Sequence, residues 1–241
     1  MLSVLELLQL TMTIFRRNAG LYIGYSAWLL IPSAAIYGAL ALLPDQSFWI
    51  TIVGQIVIVI LGIWIWIMLT SITAKIIGRE KINTEHLSRQ AWLRIWPVAL
   101  VGLIVVVVEL VGFLLFIIPG IILMVWYAFA QIDAVLSDRR GLATLAASRE
   151  MTRHRFWSVL WRMIGGPLGI GVGYLVLSTA LISLVEWLAT GAVTIFTATP
   201  SLAASMLGLI TDTLIIPVFV IYMALVYLDL KQTLKGVKPA L

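Results

Sequence analysis

A chain of 241 residues that is 62% hydrophobic and only 11% charged falls outside the ordinary soluble class, in which about a quarter of residues carry charge. Its net charge of +5 does not signal nucleic acid. The basic residues flank apolar stretches and alternate with Trp and Phe, as where a membrane face meets anionic headgroups. The absence of cysteine rules out disulfides, thiol nucleophiles and thiolate metal ligands.

Mean hydropathy is +1.08, and six apolar stretches stand out, at about 19–43, 48–70, 97–118, 119–136, 164–189 and 202–228. A helix crossing a hydrocarbon core of ~30 Å needs about 20 apolar residues. The expected fold is therefore an all-α integral membrane protein: one transmembrane domain over 1–241, six spans in three hairpins. A cytoplasmic amphipathic helix leads each hairpin, at about 2–17, 83–96 and 141–162.

In the first of these, Ser3, Glu6, Gln9, Thr13, Arg16 and Arg17 recur at three- and four-residue steps, opposite Val4, Leu8, Met12 and Phe15. Such a helix lies in the headgroup plane. Its charges come at its end and the next stretch is too long for a signal h-region, so no cleaved leader is expected. Span one opens with Gly20 and Gly24 and ends at the polar break Leu43-Pro44-Asp45-Gln46. After span two, Asn83-Thr84 is the predicted cap of the second interfacial helix. Leu87, Ala91, Trp92, Ile95 and Trp96 share one side of it, and Pro97 opens span three. Ile118-Pro119-Gly120 predicts a tight turn into span four. The third interfacial segment carries Phe156, Trp157, Leu160 and Trp161. In span five, Gly165, Gly169 and Gly173 form a small-residue face for helix packing within the bundle or for a partner helix. The outer connection 190–201 is long and Thr-rich.

All sixteen Lys and Arg residues fall before span one, between spans two and three, between four and five, or after six. Positive charge stays on the cytoplasmic side during insertion, so both termini are expected in the cytoplasm of a bacterial inner membrane. Trp64, Trp66, Trp92, Trp96, Trp126, Trp157 and Trp161 weight the aromatic belt toward that face, with Trp49 and Trp187 at the outer boundary.

Four acids fall in or near spans. Counting ~1.5 Å per residue puts Glu109 ~18 Å from the inner end of span three and Asp212 ~15 Å from the outer end of span six. Glu186 comes near the outer interface and Asp133 near the inner one. No Lys or Arg lies inside a span as counter-ion. Glu109 and Asp212, if facing one another, would share a proton; otherwise each is protonated and bonded to hydroxyls or backbone, with Thr211 and Thr213 flanking Asp212. Catalytic patterns are missing: there is no HExxH, GxSxG or GxxxxGK[ST], and His86 and His154 lie apart in cytoplasmic segments. No metal or cofactor is expected.

Ile117-Ile118-Pro119-Gly120-Ile121, Tyr127-Ala128-Phe129-Ala130, Asp133-Ala134-Val135-Leu136, Ala146-Ala147-Ser148 and Phe156-Trp157 resemble the six-span bacterial membrane proteins of the YciC type. These are similar in turn to the membrane domain attached to some glycerophosphodiester phosphodiesterases. The resemblance centres on about 115–162. It implies the topology and a lipid-related setting but no catalytic motif, because the phosphodiesterase chemistry belongs to a soluble domain that this sequence lacks.

The expected function is a non-catalytic accessory or scaffold protein. Arg94, Trp96, Arg153, Arg155, Trp157 and Arg162 would hold anionic headgroups, and the glycine face would receive a membrane-protein partner or a second copy. The alternative is a small proton-coupled transporter or lipid-handling channel using Glu109 and Asp212, with Gly165-Gly166-Pro167 and Ile216-Pro217 as helix breaks.

Overall fold

A computed structural model describes residues 1–191 and 202–234, so the connection 190–201, beyond its first two residues, and Lys235 and Lys238 lie outside the described residues. Every element among them is helical: α1 (Val4–Arg17), α2 (Ala19–Ser26), α3 (Leu30–Leu42), α4 (Ser47–Ile77), α5 (Thr84–Leu115), α6 (Ile117–Tyr127), α7 (Ala130–Leu136), α8 (Leu142–Arg153), α9 (Phe156–Thr190) and α10 (Leu202–Leu234), with 3-10 turns at Ala27–Leu29 and Pro44–Gln46. Six stretches are long and apolar enough to cross a membrane: Ala19–Leu40, Ser47–Ile77, Thr84–Leu115, Ile117–Leu136, Phe156–Leu188 and Ser205–Leu234. They match the six expected, as a multi-pass membrane protein requires.

Helix ends depart from expectation where a proline was read as a boundary. Pro97 lies inside α5, so the segment 83–96 and span three form one helix. A proline removes one N–H bond and bends a helix, but strongly helical apolar flanks carry the helix through it. Pro167 and Pro217 likewise lie inside α9 and α10, so the expected breaks there are absent. The turn between spans three and four falls at Phe116, whose backbone is extended (φ −166°, ψ 158°), and not at Pro119-Gly120, which opens α6. The segment 141–162 divides at His154-Arg155; its second half is the start of α9.

The chain forms two compact units. Unit 1 comprises Met1–Ile14, Ile63–Gly166 and Val220–Leu241; unit 2 comprises Phe15–Gly62 and Pro167–Phe219.

Unit 1 is built on α10, where Val220, Ile221, Tyr222, Ala224, Leu225, Val226, Tyr227 and Leu230 are all buried. A helix apolar on every side belongs at the centre of its unit. Residues Ile65, Ile67, Met68, Leu69 and Ile72 of α4 are buried as well. α5 and α6 pack closely because Gly112 and Gly120 meet: a Cβ on Gly112 would come 3.1 Å from the Gly120 Cα. α1 begins with a capping box. The Ser3 N–H and hydroxyl donate to Glu6 Oε2 at 2.6 and 2.8 Å, and the Glu6 N–H returns a bond to Ser3 Oγ at 3.2 Å. These donors hold the Glu6 carboxyl below its ordinary 4.5, the Ser3 backbone N–H first. The buried face of α1 is Leu7, Thr11 and Ile14, while Met12, expected on the apolar face, is exposed.

In unit 2, α3 and the first half of α4 lie side by side where Gly54 leaves room for Ile36. Much of the surface of both units is apolar, including Leu103, Leu110 and Leu114 on α5 and Leu168, Leu175 and Val176 on α9. In water so large an apolar surface would aggregate; in lipid it is the solvated face.

Candidate functional site

Polar chemistry in unit 1 gathers around two buried aspartates. Asp229, wholly buried on α10, accepts from Arg162 Nη1 at 2.9 Å and from the Leu2 backbone N–H at 3.2 and 3.4 Å. Arg162 Nη2 donates to the Leu2 carbonyl, and Tyr222 Oη donates to the Arg162 carbonyl at 2.8 Å. Gly166, one turn on from Arg162, makes this possible: a Cβ there would overlap the Tyr222 ring. The pair therefore ties the N-terminal segment, α9 and α10 together within one unit.

Asp133, the second buried acid, accepts from Tyr227 Oη at 2.7 Å and Ser137 Oγ at 3.1 Å, with Arg139 Nη1 at 3.6 Å. Lys231 Nζ donates to Tyr227 Oη at 3.1 Å and lies 5.2 Å from the ring centroid. The break between α6 and α7 is bridged by Ser148, whose hydroxyl donates to the Trp126 carbonyl at 2.8 Å and accepts from the Phe129 N–H at 3.2 Å. This is how non-helical backbone survives in apolar surroundings: a side chain satisfies the freed groups. The Arg149 guanidinium lies 4.4 Å from the Trp126 ring centroid.

The residues expected to bind headgroups divide. Trp96 and Trp157 are 82% and 78% exposed, and Arg153, four residues before Trp157, is exposed as well. Arg155 is half-buried, with its Nη1 lacking a partner among the described residues. Arg94 donates to the Val135 carbonyl, closing the end of α7, and lies 3.5 Å from the exposed Asp138. Arg162 is a correction. It is 5% exposed and committed to Asp229, so it does not present its charge at the surface. Arg162 lies in the first turns of the helix Phe156–Leu188, as Lys75, Arg89, Arg94 and Lys231 lie within Ser47–Ile77, Thr84–Leu115 and Ser205–Leu234. Trp64, expected in the aromatic belt, is buried against Trp92 with ring centroids 5.8 Å apart.

Of the glycine face, Gly165 belongs to unit 1, where a Cβ would meet Val4 at an ordinary 3.5 Å. Gly169 and Gly173 are exposed in unit 2, and a Cβ on Gly173 would have nothing within 4 Å. The tightly enclosed glycine of α9 is Gly166, outside the expected stripe.

Glu109 belongs to unit 1 and is half-buried, with no hydrogen bond among the described residues. Asp212 belongs to unit 2 and is exposed, accepting from Tyr174 Oη. Thr211 and Thr213 do not serve it as hydroxyl donors in the expected way; both bond to carbonyls of their own helix. Glu186 is buried in unit 2. His86 supplies its backbone N–H to the Asn83 cap at 3.1 Å. Among the described residues no group of three or more His, Asp or Glu is placed to hold a metal ion.

Asp229 was not singled out from sequence. The signal available was its place in Tyr227-Leu228-Asp229-Leu230-Lys231, an acid inside an apolar run, which demands a partner. Comparison with family models, curated proteins and solved structures gives no match to this chain.

Proposed function

We propose that this chain is a non-catalytic accessory or scaffold protein of a bacterial cytoplasmic membrane, with both termini inside and α1, the start of α5 and α8 lying along the inner headgroup layer. It is a relative of the YciC type on this reading. The observation that carries it is the exposure of Arg153 and Trp157, four residues apart, together with the exposure of Trp96. Exposed Trp and Arg suit the boundary where ring and cation meet anionic headgroups, each cation contributing about 1 kcal/mol. Arg155, with an unpartnered buried nitrogen, adds a donor for phosphate. The exposed Gly169 and Gly173 fit a partner helix or a second copy.

Gentle purification of the wild type and of the triple variant Arg153→Gln, Arg155→Gln, Trp157→Ala tests it. Anionic lipid retained per protein falls in the variant; equal retention removes the headgroup-binding reading. The transport alternative rests on Glu109 and Asp212. It is disfavoured by the unbroken α9 and α10, because discontinuous helices are what usually line such sites.

A further inference from the structure

We infer that a cavity within unit 1, between the end of α4 and the last turns of α10, binds a phosphodiester headgroup that bears a hydrogen-bond donor, of the phosphoethanolamine or phosphoglycerol class. The cavity measures about 530 Å³ and is lined by Ala74, Ile77, Gly78, Arg79, Leu228 and Gln232. That volume lies within the range of small-ligand pockets, about 300–1,000 Å³. Its walls combine an apolar floor from Ile77 and Leu228 with two polar side chains.

The first of these is Arg79. It sits at the left-handed position that closes α4, with φ 54°. Its N–H bonds to the Ile76 carbonyl at 3.2 Å, and the Glu80 N–H bonds to Lys75 at 2.9 Å. Glycine is the usual occupant of this helix end because it has no Cβ to strain the backbone. Here the glycine, Gly78, comes one residue too early and an arginine takes the strained place. Strain of this kind persists where the side chain is needed. Glu80 lies beside Gly78, but Lys75 Nζ pairs with it at 2.9 Å. Among the described residues Arg79 has no carboxylate partner, so it is the uncompensated charge of the cavity and its fork suits phosphate.

Gln232 is the second. Its Oε1 is buried and has no hydrogen-bond partner among the described residues. A buried carbonyl oxygen left unpaired is costly, and it can take only a donor. The C-terminal end of α4 also favours a positive or donating group through its dipole. Phosphate against Arg79 and an ammonium or hydroxyl against Gln232 satisfy all three demands with one ligand. A choline headgroup, which is cationic but has no N–H or O–H, leaves the Gln232 oxygen unpaired.

The inference extends the lipid-binding reading but uses none of its residues. Native mass spectrometry of the purified full-length protein in micelles, supplied with phosphatidylethanolamine, phosphatidylglycerol or phosphatidylcholine, tests both together. The first two lipids are expected to be retained about tenfold better than phosphatidylcholine, as for one hydrogen bond gained by a buried acceptor. Arg79→Gly relieves the backbone and keeps the fold, and is expected to lower retention of all three about tenfold. Gln232→Leu removes the preference over choline. Competition by soluble glycerol phosphate or phosphoethanolamine assigns the site to the free ester, and its failure to compete assigns it to the lipid. Equal retention of the three lipids by the wild type, or no loss on Arg79→Gly, overturns the inference. If that happens while the Arg153, Arg155, Trp157 variant still sheds anionic lipid, only the cavity is lost and the headgroup-binding face stands.

Discussion

The Arg162 guanidinium meets the Asp229 carboxylate at 2.9 Å with both side chains buried, and the same two groups hold the backbone of Leu2 from either side. Desolvating two charges is expensive, and the attraction offsets that cost only when each remaining polar position finds a partner. Here the Leu2 N–H and carbonyl supply those partners. The start of the chain is thereby fastened to α9 and α10 within unit 1.

Breaking this pair on one side strands a buried charge. Arg162→Ala or Asp229→Ala is expected to destabilise the protein by about 3–5 kcal/mol. The double variant Arg162→Met, Asp229→Leu recovers much of that loss. Thermal denaturation in detergent provides the measurement, with limited proteolysis reporting release of the first residues. Single variants that melt with the wild type would show the pair to be incidental.

Glycines on α9 are expected to differ sharply. Gly166→Ala drives a Cβ into the Tyr222 ring and, as an overpacked site, costs about 1–3 kcal/mol. Gly173→Ala meets open space and leaves the stability of the isolated chain unchanged within about 0.5 kcal/mol. Equal melting temperatures for the two variants would contradict the packing described for α9 and α10 in unit 1.

Tyrosine hydroxyls provide a second contrast. Tyr227→Phe removes the donor to buried Asp133 and is expected to cost about 1–3 kcal/mol. Tyr174→Phe removes a bond to the outward-facing Asp212 and costs less than about 1 kcal/mol, since side-chain hydrogen bonds between helices in lipid average about 0.6 kcal/mol. Chemical unfolding in mixed micelles ranks the two. The reverse order would mean that Asp212 carries more of the structure than its exposure allows.

Much of the architecture was legible in the sequence, and the reason is local. Six apolar stretches are detectable because each is about one bilayer long, whatever it packs against. Pro97, Pro167 and Pro217 misled because a proline marks a helix end only where the flanks are weak, and these flanks are strongly apolar. Asp229 and Arg162 were missed or misplaced for another reason. Their partners lie 67 and 160 residues apart along the chain, and nothing in a local window announces them. Arg162 looked like its neighbours Arg153 and Arg155, and only the absence of a side chain at Gly166 opens room for the Tyr222 ring beside it.

The capping box of α1 carries a pH dependence. Glu6 has its carboxyl held low by the Ser3 backbone N–H and then by its hydroxyl. A lowered value means that the ionised form favours the folded helix. Its contribution is therefore complete above 4.5 and fades as pH falls through the lower, folded value. An NMR titration of the labelled Glu6 carboxyl is expected to show a midpoint under 4.5, and Ser3→Ala to raise it. A midpoint unmoved by Ser3→Ala would remove the box as its cause.

The central claim is that the basic residues share one side of a membrane that the six helices cross. A chain without cysteine permits single-cysteine mapping with no background. Lys81→Cys, Arg140→Cys and Asp45→Cys are introduced separately, and intact cells are treated with a membrane-impermeant maleimide. The account predicts labelling of the residue-45 variant alone, with positions 81 and 140 reacting only after the membrane is opened. Labelling of position 81 or 140 in sealed cells would contradict it.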